Sequence, residues 1–249
     1  MTDLKGKRIF ITGASRGLGR QTALFMASQG CDLLLHSSTA AHTEAIVSEV
    51  RGLGFGIDVL GVSCDLSDRA QVAAMLDEIE RMGVDIDVIF NNAGVQVAYR
   101  TDFWQTPPED YVRSFEINTI APMMICYRLM PKMLERGFGR VINVSSGIMN
   151  EPEQAGYSAS KAGLDKVTRD IGTKLGGTGV TINLADPGWC RTDLGGPNAP
   201  NSPESVIPGI TVGAFVDDDV NGMWYGAQEF CGMTLEEAVV KANEMAVKR

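Results

Sequence analysis

Short runs of apolar and β-branched residues recur along this 249-residue chain, and longer stretches separate them in which apolar residues return every three or four positions. Six of the runs read as strands: KRIFIT (7–12), CDLLLH (31–36), IDVLGVSC (57–64), IDVIFN (86–91), GRVINVS (139–145) and GVTINLAD (179–186). They show little of the alternation expected of a half-solvated sheet, which implies strands covered on both faces. The intervening stretches at 17–29, 40–53, 67–82, 109–136 and 156–175 carry the period of amphipathic helices, and a last one covers 235–247. Alternating strands and helices mean a parallel sheet with helices on each side. VNGMWYG (220–226) can supply a further strand, giving a doubly wound α/β sheet of about seven strands.

There is no repeat, no low-complexity tract and no linker, so residues 1–249 are expected to form one domain. The segment 195–233 stands apart as a variable region. Its first part, GGPNAPNSPESVIP (195–208), holds four prolines and two glycines. Such a stretch reads as a surface connection or as a loosely helical lid over a substrate. Beyond it, Thr234 and Glu237 have the spacing of a capping box. The positions Leu235, Ala238, Val239, Ala242 and Met245 form one apolar face, to be buried on the domain or on another subunit.

Composition removes several functions. The formal net charge is -9, with no basic surface for nucleic acid. No run approaches the roughly 20 apolar residues of a membrane-spanning helix. MTDLKGKR leads straight into a strand without a signal-peptide core, so cytoplasmic residence is expected. The five cysteines are scattered and include no CxxC, which argues against a disulfide framework or zinc site and for small buried hydrophobes. The histidines are only His36 and His42, with no HExxH. No metal site and no Ser-His-Asp triad is expected, and any acid–base chemistry must come from other side chains.

The stretch TGASRGLG, from Thr12, places Gly13, Gly17 and Gly19 between the first strand and the first helix. Glycine is costly to order, so the cluster implies a turn to which something comes very close. A helix N-terminus with no side chains in the way accepts a pyrophosphate, as in a Rossmann-like dinucleotide-binding unit. Three further motifs follow in order: NNAG (91–94) at the end of the fourth strand, YSASK (157–161) in a helix, and DPGWCRT (186–192) after the sixth strand. Tyr157 and Lys161 lie about one helical turn apart on the same face. An ammonium near a phenol favours phenolate and lowers its pKa from near 10, which would make Tyr157 a usable general acid or base.

Together these motifs resemble the short-chain dehydrogenase/reductase family in its single-domain branch, over about residues 5–192. The resemblance implies hydride transfer to or from a nicotinamide cofactor. It implies Tyr157 as proton donor and Lys161 as its electrostatic partner, bonded also to the nicotinamide ribose. NVSSG offers Ser145 and Ser146 for the substrate oxygen, and Ser146 has the family's usual distance from Asn118. Asn118 matches the family asparagine that supports a proton-relay water. One departure is the loop 146–157, shorter than is usual. Cofactor contacts are expected from Gly13, Ser15, Arg16, Gly17, Leu18 and Gly19 in the glycine turn, from Asp65 and Leu66 after the third strand, from Asn91, Ala93 and Gly94, and from Pro187, Gly188 and Thr192.

Cofactor choice turns on the end of the second strand. An NAD enzyme places a carboxylate there for the ribose 2′-hydroxyl. This chain has His36, Ser37 and Ser38, and Arg16 offers a guanidinium to a 2′-phosphate. NADP(H) is therefore expected, with NAD(H) possible. The expected activity is an NADPH-dependent carbonyl reductase acting on a small-molecule ketone or secondary alcohol. The alternatives are an NAD-dependent alcohol or polyol dehydrogenase and a non-catalytic dinucleotide-binding sensor. Val95, Gln96, Phe103, Trp104, Met149 and Trp189 are candidates for a mainly apolar substrate wall, while Glu151 and Glu153 read as solvated loop carboxylates. The family commonly forms homodimers or homotetramers through the two long helices, here 109–136 and 156–175.

Overall fold

The computed structural model describes residues 1–217 and 219–247; Asp218, inside the variable segment, lies outside them, as do Lys248 and Arg249. The strands are β1 (Arg8–Ile11), β2 (Asp32–Ser37), β3 (Val59–Ser63), β4 (Val88–Asn91), β5 (Gly139–Val144), β6 (Val180–Asp186) and β7 (Trp224–Gly226). They form one sheet in the order β3-β2-β1-β4-β5-β6-β7, every pair parallel. The helices are α1 (Gly17–Ser28), α2 (Ala40–Gly52), α3 (Arg69–Arg81), α4 (Pro108–Phe115), α5 (Ala121–Arg136), α6 (Ala155–Gly172) and α7 (Leu235–Val247). The chain winds outward from β1 to β3, then returns to β4 on the other side. The switch between β1 and β4 leaves a crevice at their carboxyl ends, where ligands of open α/β sheets bind.

Alternation within the central strands builds two cores. Ile9, Ile11, Leu33 and Leu35 face one way, against Met26 of α1, Val50 of α2 and Ala238 of α7. Phe10, Leu34 and Ile89 face the other, against Met75 of α3, Met133 of α5 and Leu164 of α6. In register, Ile9, Phe10 and Ile11 lie between Leu33, Leu34, Leu35 and Val88, Ile89, Phe90, all fully buried. Apolar positions in an uninterrupted run are what a strand covered on both faces requires.

Three departures from the sequence expectation matter for the site. The helix expected over 109–136 is interrupted by a five-residue π-helical turn, Glu116–Ile120, between α4 and α5. Wide turns of this kind often mark functional positions, and Asn118 sits at its centre, fully buried. Side chains hold the turn to its neighbours: Asn118 Nδ2 donates to Ser160 Oγ at 2.9 Å, and Thr119 Oγ1 to the Ser160 carbonyl at 2.8 Å. Close approach of α4 to α6 needs Gly156, because a Cβ there would stand 2.9 Å from the Asp110 carbonyl oxygen. The variable segment is also two things. Residues 189–205 cross the surface, whereas Val206, Ile210, Val212, Ala214 and Val216 are fully buried in the α1–α2–α7 core. The third departure is the short β7, which spans three residues.

The apolar face of α7 is buried on the domain itself: Ala238, Val239 and Ala242 belong to the core, with Leu235 and Met245 packed against it. Its capping box is formed, Thr234 N donating to Glu237 Oε2 at 2.9 Å and Glu237 N to Thr234 Oγ1 at 3.2 Å. Thr234→Ala should therefore cost about 1 kcal/mol, lowering the melting temperature by about 2–4 °C for a chain of this size. Calorimetry on the variant tests this, and an unchanged melting temperature would show that α7 does not depend on its cap.

Candidate active site

The glycine turn is built by an interlock between the ends of β1 and β4. Asn92 Nδ2 donates to the Thr12 carbonyl at 2.9 Å and to the Gly13 carbonyl at 3.3 Å. In return, Thr12 Oγ1 accepts from the main-chain N–H of Asn92 and of Ala93, each at 3.0 Å. A Cβ on Gly19 would fall 2.1 Å from the Gly13 carbonyl oxygen and 2.5 Å from Asn92 Nδ2, so only glycine fits. From the other side, His36 Nδ1 accepts from Gly13 N at 3.3 Å, and its Nε2 lies 3.1 Å from the Cys64 carbonyl. Burial lowers His36 to about 4, leaving it neutral and able to accept that bond. At the start of α1 no side chain caps the helix, so its first N–H groups point outward unpaired by a cap.

A second cluster lies beside the first. Lys161 is buried, and its Nζ donates to the Val144 carbonyl at 2.7 Å. The same amine lies 5.9 Å from the Tyr157 ring centroid. A Cβ on Gly94 would come within 3.4 Å of both Lys161 Nζ and Asn118 Oδ1, so β4 delivers Gly94 to this spot. Asn118 is fully engaged: Oδ1 accepts from Val95 N at 2.8 Å, and Nδ2 donates to the Val95 carbonyl at 2.9 Å as well as to Ser160. Of the two serines, it is Ser146 whose hydroxyl acts on the Tyr157 phenol, drawing its pKa down. Ser145 is buried beneath and donates to Asp165. The shortened loop 146–157, folded through a 3-10 turn at Pro152–Gln154, still brings Ser146 to Tyr157.

Electrostatics correct one expectation. Burial raises the Tyr157 phenol above its usual value; the Ser146 bond opposes this and the Asp186 carboxylate adds to it. Burial also brings the neighbouring Lys161 amine down to about 8, with Asp165 and Asp186 working in the opposite direction. Burial likewise pushes Asp165 up to about 6, against the pull of Ser145, Arg169 and Lys161, with Asp186 adding to the rise.

The remaining candidates divide. Thr192 lies at the glycine turn, its methyl 3.3 Å from where a Gly17 Cβ would stand. Arg16 pairs with Asp193, Nη1 to Oδ2 at 2.9 Å. Gly188 N donates to Asp186 Oδ1 at 3.0 Å, and the Pro187 carbonyl accepts from Gln228 at 2.9 Å. Asp65 is bonded to Ser67, which lowers its pKa, and Leu66 is buried. Two expected contacts are not at the surface. Asn91 is buried, donating to Asn143 Oδ1 at 2.8 Å, and the Ser37 hydroxyl is buried with no hydrogen-bond partner among the described residues. Both side chains point into the sheet's packing; Ser38 is the hydroxyl left exposed at the end of β2. At the rim, Met149, Trp189 and Trp104 are largely exposed, and Trp104 stacks on Phe103 with centroids 4.6 Å apart.

Sequence reasoning missed Asn92, His36, Asp165 and Asp186. Asn92 stood inside the quoted NNAG, where its neighbour was chosen instead. The aspartates carried a signal, an acidic residue four after the motif lysine and another directly before Pro187, but neither announces what it faces.

A family model described as short chain dehydrogenase matches residues 7–202. A 3-oxoacyl-[acyl-carrier-protein] reductase of Synechocystis is 34% identical over 204 residues, covering 78% of this chain and 78% of its own. The structure of a putative NAD(P)-dependent gluconate 5-dehydrogenase from Beutenbergia cavernae superposes with a TM-score of 0.80 at 22% identity, over 92% of this chain and 97% of that one. A metagenomic short-chain oxidoreductase solved with NADP gives a TM-score of 0.69 at 28% identity, over 75% of this chain and 84% of the other.

Raised from 3.8 to about 6, Asp165 binds its proton more tightly folded than unfolded. Its favourable contribution is complete below about pH 4 and is lost as pH rises through 6. Asp165→Asn, which keeps an acceptor for Ser145, should therefore melt above the parent at pH 8 by a margin that shrinks at pH 4. An equal shift at both pH values in thermal unfolding would refute this charge burial.

Proposed function

The chain belongs to the short-chain dehydrogenase/reductase family, and we propose that within it this protein is an NADPH-dependent carbonyl reductase, interconverting a ketone and a secondary alcohol. The observation that carries the reading is the Tyr157 phenol, kept protonated by burial, under the influence of the Ser146 hydroxyl and set beside the buried Lys161 amine. The residues fit a dinucleotide. Uncapped N–H groups at the start of α1 suit a pyrophosphate, and Gly13, Gly17, Gly19 and Gly94 keep side chains out of its way. Ser15 and Leu18 flank that turn, Ala93 and Gly94 follow it along the crevice, and Pro187, Gly188 and Thr192 close its far side. Asp65 and Leu66, after β3, would contact an adenine.

When bound, the nicotinamide supplies the hydride. The protein's part is to hold the substrate oxygen between the Ser146 and Tyr157 hydroxyls, so that both donate as negative charge develops there. Tyr157 then passes its proton to that oxygen. The phenolate left behind is stabilised by the Lys161 ammonium, which has one hydrogen bond among the described residues, to Val144, and further N–H donors to turn toward a ribose. Both Asn118 side-chain donors are committed to Val95 and Ser160, which leaves neither for a relay water.

The strap at 189–205 and the exposed Met149, Trp189 and Trp104 would wall an apolar substrate. Exposed Val112 on α4 and Tyr127 and Leu134 on α5 suit a homodimer, or a tetramer built from it. No helix among the described residues is long and apolar enough to cross a membrane. A second reading, an NAD-dependent alcohol or polyol dehydrogenase, draws on the Arg16–Asp193 pair, which engages the guanidinium that a 2′-phosphate would need.

Tyr157→Phe should cut turnover by at least about two orders of magnitude in both directions, while dinucleotide binding followed by fluorescence quenching persists. Retention of activity within tenfold would remove Tyr157 from the chemistry, and no wild-type turnover on a broad carbonyl and alcohol panel would favour a binding protein without catalysis. In the same titration NADPH should bind more tightly than NADH, and Arg16→Ala should erase the difference. Tighter binding of NADH by the wild type would give the assignment to the second reading.

A further inference from the structure

The surface strap that follows β6 is locked to itself and to α1. Within it, Arg191 Nη1 donates to the Ala199 and Pro200 carbonyls at 2.9 and 2.7 Å, and Trp189 Nε1 to the Gly195 carbonyl at 2.7 Å. Thr192 packs on Gly17, and Gln21 of α1 donates to Glu204 Oε1 at 3.2 Å. Gln228 ties the strap's two ends, donating to the Pro187 carbonyl and to Ser205 Oγ at 2.9 and 3.0 Å. Its outermost charge contact is Asp193 on Arg16.

Sheet order makes that contact consequential. β2, which carries Ser38 at its end, flanks β1 on one side, while β4, β5 and β6 lie on the other. Arg16, in the turn after β1, is held instead by Asp193 of the strap that follows β6. Both side chains of the pair are about three-quarters exposed, 75% and 73%. The pair is consequently weak and exchangeable, as a selector must be.

We propose that Asp193 is a cofactor-selecting residue: its carboxylate competes with a ribose 2′-phosphate for the Arg16 guanidinium, and so links the choice of dinucleotide to the seating of the strap. This rests on the dinucleotide reading above. A 2′-phosphate recruits Arg16 toward Ser38 and frees Asp193. A 2′-hydroxyl cannot compete, so Arg16 stays on the strap. Thr192, the residue before Asp193, is the expected neighbour of the nicotinamide end, so one short peptide senses both ends of the cofactor.

The test measures dissociation constants by fluorescence quenching for NADPH and NADH, and by calorimetry for the fragments 2′,5′-ADP and 5′-AMP. Wild type, Asp193→Asn, Arg16→Ala and the double variant form a cycle. Asp193→Asn should tighten NADPH and 2′,5′-ADP by about two- to tenfold while NADH and 5′-AMP change by less than twofold. The gain should vanish in the Arg16→Ala background and shrink at half-molar salt. Equal effects on both cofactors, no effect on NADPH, or a gain that survives without Arg16 overturns the proposal. Wild type that binds neither dinucleotide overturns the underlying reading as well, so the two failures are told apart.

Discussion

An amine buried in a protein interior is tolerable only if it is hydrogen-bonded and its surroundings are arranged around it. Lys161 is such an amine, and the upper end of the sheet is organised by it. Its bond to the Val144 carbonyl fastens α6 to the end of β5. Gly94, at the end of β4, leaves the gap its head occupies. The π-helical turn brings Asn118 to the same place, where the amide binds Val95 on one side and Ser160 of α6 on the other. Four separate elements thus converge on one nitrogen. Tyr157, one turn earlier on α6, inherits its position from that convergence.

Charge around this nitrogen is less simple than a tyrosine assisted by a lysine. Asp165 and Asp186 both stand near enough to hold up the pKa of the amine, and Asp186 also holds up that of the phenol. Burial acts oppositely on the two groups, favouring the neutral phenol and the neutral amine. The result is a phenol that keeps its proton and a lysine within reach of titration near pH 8.

Much of this was legible in the chain. Unalternating apolar runs showed a doubly covered sheet, and Gly13, Gly17 and Gly19 showed a close approach at its first turn. Thr234 and Glu237 marked the cap of α7. What was hidden is of another kind. The π turn lies inside a stretch whose apolar period gives no warning of it, although Pro122, two residues beyond, marks the start of α5. Ser37 and Ser38 are the same residue type side by side, but Ser37 is the last residue of β2 and buried, while Ser38 lies just past the strand and is exposed. Asn91 and Asn92 divide in the same manner. Ser145 and Ser146 part similarly, the first to Asp165 and the second to Tyr157. The depth of the Tyr157 site, and therefore the sign of its shift, depends on packing that no local motif records.

The interlock of Thr12, Gly13, Gly19 and Asn92 has a bearing on how such chains can be recombined. Each partner fills space the other leaves: the Gly13 carbonyl and the Asn92 amide occupy the volume a larger residue at position 19 would need. Segments 12–19 and 91–94 are far apart in the chain yet behave as a single inherited part. A hybrid that joined the opening βα unit of one homologue to the fourth strand of another would be viable only where both halves kept the same small residues and the same amide.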